Sequence, residues 1–100
     1  MSLVGWDIDG TLTGKEDLEG CVVISGRTFQ DYDDLAKSLA ARVPVYIRGS
    51  GAYGDHVDAG RFKAAMINHL GVTEYHEDVP LQAEIIRQNC PDCTVVMVGG

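Results

Sequence analysis

Short apolar runs alternate along the chain with segments whose apolar residues recur at helical spacing. Residues 3–8 are mostly apolar, and residues 21–25 form a largely β-branched run of the kind found in strands buried on both faces. Further strands are predicted over residues 43–47, 72–76 and 94–98. Because helical segments separate most of these strands, the pattern predicts an α/β fold with a mostly parallel five-stranded sheet.

Three helices are predicted between the strands. Thr28 caps the first, and Asp31 three residues later approximates a capping box. A glycine-rich loop over residues 49–60 precedes the second helix, which Gly71 ends. Pro80 lies in the first turn of the third, a position that proline favours. The apolar faces of the helices comprise Tyr32, Leu35 and Leu39, then Phe62, Ala65, Met66, His69 and Leu70, and finally Leu81, Ile85 and Ile86.

The connection between the first two strands is unusually short. It has about eleven residues, 10–20, whereas a parallel crossover normally takes a dozen or more and includes a helix. We therefore expect an extended return without a helix. Pro44 is acceptable only if it lies at the start of the third strand or if that strand is at an edge of the sheet.

The length and the charge of the chain narrow the class of protein. One hundred residues allow a single domain, residues 1–100, with one core. The formal net charge of −7 argues against broad electrostatic binding to nucleic acid or to anionic membranes. No apolar run approaches the ~20 residues of a membrane span, and Asp7 and Asp9 interrupt the region where a signal peptide is apolar. We expect a cytoplasmic protein that does not bind membranes.

The three cysteines are interpreted as reduced thiols. Cys90 and Cys93 have CxxC spacing, but they follow a helical pattern and precede a strand, which is the reverse of the order in thioredoxin-type redox motifs. A zinc site needs four ligands, and only Cys21 and three scattered histidines are available to complete one. The pattern favours a plain turn over either alternative.

Asp7 and Asp9 end the first predicted strand, where alternation directs both side chains the same way. Like charges this close repel each other, and a divalent cation bound by the carboxylate oxygens would offset the repulsion. A calcium loop is excluded because Leu12 and Leu18 occupy the positions that require glycine and an acidic residue. The structural alternative is a simple Asp-Gly turn.

Residues 7–13 (DIDGTLT) resemble the first motif of the haloacid dehalogenase (HAD) superfamily of phosphotransferases, D-x-D-G-T-[LV]. The resemblance implies a three-layer, Rossmann-like fold with strand order 5-4-1-2-3. It implies that Asp7 is a nucleophile that forms an aspartyl-phosphate and binds Mg²⁺. Asp9 would be the general acid/base and would place its backbone carbonyl on the metal, and Thr11 would contact the substrate.

The second motif of the superfamily matches Ser25-Gly26-Arg27, which ends the second predicted strand. The resemblance implies that the Ser25 hydroxyl acts in catalysis by binding a phosphoryl oxygen, and that Gly26 and Arg27 bind the substrate. The structural alternative is a helix cap followed by a turn. Arg27 fits that alternative poorly, because a cation at a helix start opposes the macrodipole.

The third and fourth motifs also occur in order. Lys63 fits the catalytic lysine, and we place it in the first turn of the second helix; the alternative is a solvated surface lysine. Glu77 and Asp78 follow the fourth strand and fit the acidic motif that binds the metal, with Asp78 the stronger candidate. Their alternative is helix capping ahead of Pro80.

A closer likeness is to the 3′-phosphatase domain of polynucleotide kinase-phosphatase and to related phage-type phosphatases. These share the Ser-Gly-Arg triplet and an arginine after the third strand, here Arg48, which would help to hold the phosphate. Residues 44–63 and 75–80 follow the same order of motifs. Asp58 lies five residues before Lys63, where a tighter spacing is expected. The substrate implied is a nucleic-acid 3′-phosphate end or a phosphorylated small molecule.

Neither connection at the expected site has room for a cap domain. Residues 10–20 and 49–60 are too short to hold one, so we expect an open site that accepts a bulky substrate or is closed by a second copy in a homo-oligomer. The glycines of residues 49–54 match the G-x-G-x-x-G pattern of dinucleotide-binding loops. That interpretation is rejected because Gly60 intervenes before any helical pattern.

The sequence thus predicts a Mg²⁺-dependent phosphomonoesterase. Asp7, Asp9, Glu77 and Asp78 would face the metal, and we expect Arg27, Arg48 and Lys63 to be free to neutralise the phosphoryl group. The alternatives are a sugar or nucleotide phosphatase, and a catalytically silent protein of the same fold that binds metal or acts in assembly.

Overall fold

A five-stranded parallel sheet forms the centre of the fold. The computed structural model describes residues 2–12, 16–52 and 54–99, so Thr13 and Tyr53 of the motifs above lie outside the described residues. The strands are β1 (Val4–Trp6), β2 (Val22–Thr28), β3 (Val45–Gly49), β4 (Glu74–Glu77) and β5 (Thr94–Met97). The α-helices among the described residues are α1 (Asp34–Ala40), α2 (His56–Leu70) and α3 (Pro80–Asn89).

The strand order is β3-β2-β1-β4-β5, and every neighbouring pair is parallel. This confirms the predicted order, 5-4-1-2-3, counted from the other edge. Pro44 directly precedes β3, and β3 is an edge strand, so both conditions for tolerating this proline are met.

Alternating side chains of the strands build two apolar clusters, one on each face of the sheet. Val22 and Ile24 of β2 pack with residues of α2 and α3, whereas Val23 between them packs with Ala36 and Leu39 of α1. The fold is therefore a three-layer α/β domain of Rossmann-like type.

The short β1–β2 connection contains no helix in its described part, as predicted. Leu12 and Leu18 of this segment are buried in the same cluster as α1. They cover the sheet where a crossover helix would otherwise lie. The described parts of residues 10–20 and of the β3–α2 connection hold no further helix or strand.

The start of the first helix differs from the prediction. Thr28 caps only a single 3₁₀ turn, Phe29–Asp31, in which the Thr28 N–H and hydroxyl both donate to Asp31 Oδ2. The α-helix begins at Asp34, after a second cap: the Asp33 side chain accepts a hydrogen bond from the Ala36 N–H. Two capping residues in succession divide what the sequence presented as one helix.

The second helix begins before the predicted loop ends. Asp55 caps it by accepting from the Asp58 N–H, and Gly60 lies inside the helix. A Cβ on Gly60 would lie 3.0 Å from Ile85 Cδ1 and 3.3 Å from Gln82 Cα. Gly60 is thus a helix residue that allows α3 to pack closely on α2, and not part of a loop. Lys63 consequently lies in the middle of α2 and not in its first turn.

Three residues predicted on the apolar helix faces are exposed: Ala65, His69 and Leu81. His69 lies on the outer side of α2, and Leu81 is 48% exposed, whereas the neighbouring Gln82 is buried. Cys90 and Cys93 form the predicted turn, with the Cys93 N–H donating to the Cys90 carbonyl, and all three thiols are free. No helix among the described residues is long and apolar enough to cross a membrane.

Candidate active site

The candidate site lies where the order of the strands reverses. The chain passes from β1 to β2 and β3 on one side, while β4 and β5 lie on the other side of β1. The crevice beyond the carboxyl ends of β1 and β4 is where open parallel sheets bind ligands. Asp7 follows β1, Glu77 is the last residue of β4, and Asp78 follows it. The Asp7 N–H donates to the His76 carbonyl, which extends the β1–β4 ladder and aligns these residues.

Three carboxylates converge in this crevice. One oxygen each of Asp7, Glu77 and Asp78 lies within 4.8 Å of the others. Gly10 makes the arrangement possible: its φ is +73°, and a Cβ there would lie 2.0 Å from Asp78 Oδ2. Asp78 Oδ1 is buried and has no hydrogen-bond partner among the described residues. Clustered carboxylate oxygens with one unpaired acceptor suit a hard divalent cation.

Lys63 reaches the carboxylates from the middle of α2. Its Nζ lies 3.1 Å from Asp7 Oδ1, donates to Glu77 Oε1 at 2.7 Å and also donates to Gln82 Oε1. Its side chain is 2% exposed, so the structural alternative of a solvated surface lysine is wrong. The ammonium has three N–H groups and three partners, which leaves it without a free donor.

The carboxylates outnumber this buried cation. Burial raises the pKa of Asp7 well above its usual range, Lys63 opposes that effect, and Glu77 adds to it by repulsion. With Asp7 and Glu77 both ionised, the network around Lys63 carries one excess negative charge. A metal cation beside Asp7 and Asp78 would offset this charge.

The two acidic residues at the end of β4 are in different surroundings. Glu77 is fully buried; its Oε1 accepts from Lys63, and its Oε2 accepts from the backbone N–H groups of Asp78 and Val79. Asp78 keeps an unpaired buried oxygen. This difference favours Asp78 over Glu77 as the principal metal ligand, which remains a prediction.

Gln82 belongs to the site although the sequence did not single it out. Besides accepting from Lys63, its side-chain amide contacts His56 Nδ1 at 2.8 Å. It therefore links the starts of α2 and α3 beside the carboxylates. The available signal was its position four residues before the buried Ile86 on the same helix, which indicates an inward-facing polar group.

Asp9 lines the crevice, but its carboxylate is outside the cluster of Asp7, Glu77 and Asp78. The side chain is 68% exposed and forms a two-point contact with Arg27: Nε to Oδ2 at 3.2 Å and Nη2 to Oδ1 at 2.9 Å. The Asp9 carboxylate is thus not part of the carboxylate cluster. Arg27 lies within β2 rather than at a helix start, so the macrodipole does not bear on it.

The three basic residues that the sequence predicted to be free are all paired with carboxylates of the protein. Arg27 is paired with Asp9 and Asp33, and Lys63 is fully engaged as described. Arg48 donates to Asp58 Oδ2 at 2.8 Å and to the carbonyls of Gly26 and Ala52. Each cation neutralises a carboxylate of the protein itself.

Arg48 ties down the glycine-rich loop. A Cβ on Gly51 would lie 2.7 Å from Arg48 Nη1, so the arginine fills the inside of the loop.

The reason for rejecting a dinucleotide-binding loop, that Gly60 separates residues 49–54 from any helix, is wrong. Gly60 lies inside α2, which begins at His56. The loop nevertheless follows β3, an edge strand, and not the strands at the switch point where ligands bind in such sheets.

Of the remaining predicted site residues, Gly26 lines the crevice and Ser25 does not. Gly26 borders the crevice, and a Cβ there would lie 2.8 Å from Ala59 Cβ, so only glycine fits. Ser25 is fully buried, and its Oγ accepts from the Arg27 N–H at 3.1 Å. The Thr11 hydroxyl is buried without a partner among the described residues. The Ser25 hydroxyl therefore does not line the crevice in this structure.

The crevice is an open cleft of about 600 Å³. Its lining brings together most of the predicted site residues with several acidic groups of the β2–α1 and β3–α2 connections. The lining includes Asp7, Asp9, Gly26, Arg27, Asp31, Asp33, Arg48, Asp55, His56, Lys63, Asp78 and Gln82.

Comparison with known proteins adds no family to this description. No protein-family model, curated protein or solved structure matches this chain. The chemistry of the cleft is therefore judged from its own groups. They are a buried carboxylate beside a buried lysine, a second carboxylate with an unpaired oxygen, and an exposed carboxylate clamped by an arginine.

Proposed function

We propose that this protein is a Mg²⁺-dependent phosphomonoesterase of the HAD type, with Asp7 as the nucleophile and Asp9 as the general acid/base. The observation that carries the proposal is the convergence of Asp7, Lys63 and Asp78 beyond β1 and β4. These residues come from three separate sequence motifs, and Lys63 Nζ lies 3.1 Å from Asp7 Oδ1. Such chemistry requires a nucleophile, a cation and a carboxylate that can bind a metal ion.

The carboxylates fit the implied metal. The oxygens of Asp7 and Asp78 lie close together, and Asp78 Oδ1 lacks a partner among the described residues. These two side chains would hold Mg²⁺, with Glu77 orienting Lys63 and the start of α3. When bound, Mg²⁺ neutralises phosphoryl oxygens and so allows an anionic nucleophile to approach an anionic phosphate.

In the first step, a carboxylate oxygen of Asp7 attacks phosphorus, the bond from phosphorus to the ester oxygen breaks, and an aspartyl-phosphate forms. Lys63, at 3.1 Å from Asp7 Oδ1, orients this carboxylate. Asp9 gives a proton to the departing alcohol oxygen. In the second step, Asp9 accepts a proton from the attacking water, and the bond between phosphorus and the Asp7 oxygen breaks, which releases phosphate.

The proposal is tested by measuring phosphate release from an aryl phosphate with Mg²⁺ present. Turnover by the wild type and its loss in Asp7→Asn are expected, because an amide cannot act as the nucleophile. Asp92→Asn, in the exposed turn before β5, is a matched control and should leave turnover unchanged. A folded wild type that binds Mg²⁺ but hydrolyses nothing in a broad panel of phosphomonoesters would contradict the proposal. The panel should include 3′-phosphorylated oligonucleotides, mononucleotides and sugar phosphates.

One observation favours a second candidate, a catalytically silent metal-binding protein of the same fold. Arg27, Arg48 and Lys63 are all paired with carboxylates of the protein, so none is held ready for a phosphoryl group. For this candidate, Mg²⁺ would raise the melting temperature of the wild type but not of Asp78→Asn, and no phosphate would be released.

A further inference from the structure

Arg27 holds the carboxylate of Asp9 on two donors of its guanidinium. Nε donates to Asp9 Oδ2 at 3.2 Å, and Nη2 donates to Asp9 Oδ1 at 2.9 Å. This paired geometry is the strongest arrangement between an arginine and a carboxylate. The Arg27 side chain is only 10% exposed, so the pair is shielded on the arginine side.

The other end of the guanidinium is anchored to the framework. Nη1 donates to Asp33 Oδ1 at 2.7 Å and to the Asp31 carbonyl at 3.0 Å. Asp33 also caps α1. Because a guanidinium has five N–H groups, these contacts leave one, on Nη2. A single remaining donor cannot make the paired contact that arginine makes with phosphate unless Arg27 releases Asp9.

Asp9 depends on this contact for its position. The residue lies in the turn after β1, next to Gly10 with its positive φ, and its side chain is 68% exposed. An exposed aspartate samples several rotamers, whereas catalysis requires a group held to within about 0.5 Å. The guanidinium complements the ionised carboxylate and uses one lone pair of each oxygen, which leaves others for an incoming proton.

We infer that Arg27 is a positioning residue that holds Asp9 as the base for hydrolysis of the aspartyl-phosphate, rather than a ligand of the substrate phosphate. This inference rests on the proposed function. In that step the water oxygen bonds to phosphorus, the water proton passes to a free lone pair of Asp9, and the bond from phosphorus to the Asp7 oxygen breaks. Arg27 neither gives nor takes a proton.

The inference predicts a specific kinetic signature for Arg27→Gln with p-nitrophenyl phosphate and Mg²⁺. Nitrophenolate leaves without a proton, so formation of the aspartyl-phosphate and kcat/KM should not change. Hydrolysis of the intermediate should slow, so kcat and KM should fall together by about 10²-fold. Rapid mixing should then show a burst approaching one nitrophenolate per enzyme. Asp9→Asn should give the same burst, and the double variant should be no slower than Asp9→Asn.

Two further variants and the unfolding transition separate the possible outcomes. Arg27→Lys keeps the charge but loses the two-point contact, so it should restore kcat only in part. Arg61→Gln, which changes an exposed arginine on the outer side of α2, is the matched control and should behave as the wild type.

A fall in kcat/KM without a burst would mean that Arg27 binds the substrate, and would overturn the inference. Equal losses of kcat, burst amplitude and folded fraction would overturn it in favour of a structural role. Absence of wild-type turnover would overturn the proposed function and this inference together.

Discussion

At Asp7 the requirements of folding and of the proposed chemistry conflict. The residue is 3% exposed, lies near Glu77, and has a pKa that burial raises. A raised pKa means that ionisation weakens the fold: the stability present below about pH 3.8 is lost as the pH rises through the folded-state pKa.

Asp7→Asn should therefore be more stable than the wild type in EDTA at pH 7, because asparagine has no charge to bury. Urea unfolding would measure the difference, which should shrink as the pH is lowered toward 3.8. A variant less stable than the wild type at pH 7 would show that the ion pair with Lys63 outweighs the cost of burying the Asp7 charge.

Gly10 allows Asp78 to fold over the turn after β1, and Gly20 provides a matched comparison. Both have positive φ, but a Cβ on Gly20 would meet nothing within 4 Å, whereas one on Gly10 would meet the Asp78 carboxylate. Alanine at either position should cost about 1–2 kcal/mol of backbone strain. The proposed metal site predicts that Mg²⁺ raises the melting temperature, and only Gly10→Ala should also abolish that rise. An intact Mg²⁺ response in Gly10→Ala would remove Asp78 from the metal site.

At the scale of elements, α1 depends on Asp33 both as its cap and through Arg27. The hydrogen bond from the Ala36 N–H, followed by the contact with Arg27, lowers the pKa of Asp33. A lowered pKa gives stability that is present above about pH 3.8 and is lost as the pH falls through the folded-state value. Carbon NMR should record this carboxyl titrating below 3.8 in the wild type and closer to 3.8 in Arg27→Gln. Equal values in both proteins would show that Arg27 does not act on Asp33.

The strands could be predicted because their apolar runs are local patterns, as β2 illustrates, whereas the sheet order was implied by the resemblance to the HAD superfamily. The helix starts could not. Thr28 and Asp33 are both good caps, and nothing in the local sequence says that Thr28 closes only one turn. Gly60 looks like a loop residue until Ile85 of α3 is known to press on it. Helix boundaries here are decided by tertiary packing.

The candidate site shows the same division. Motif order sufficed to single out Asp7, Lys63 and Asp78, which lie together around the cleft. It did not reveal that Arg27 and Arg48 are held by Asp9 and Asp58, because ion pairs between distant residues depend on side-chain geometry. Nor did it single out Gln82, whose role depends on α3 packing beside α2.

At the scale of the whole molecule, the charge of the cleft bears on the substrate. The chain carries a formal net charge of −7, and the cleft lining holds more carboxylates than basic side chains among the described residues. The acidic lining residues are Asp7, Asp9, Asp31, Asp33, Asp55 and Asp78, against Arg27, Arg48 and Lys63. One divalent cation would not reverse this balance, so a polyanionic substrate meets repulsion that a small phosphomonoester largely avoids.

The salt dependence of kcat/KM for an oligonucleotide should therefore show whether the cleft repels nucleic acid or binds it. If repulsion limits access, kcat/KM for a 3′-phosphorylated oligonucleotide should rise between 20 and 200 mM KCl at constant free Mg²⁺, because the Debye length shortens from roughly 20 to 7 Å. The same constant for glycerol phosphate should change much less, and it should exceed the oligonucleotide value at low salt. A kcat/KM that falls with salt for the oligonucleotide would instead indicate cationic contacts to its backbone and would support a nucleic-acid end as the substrate.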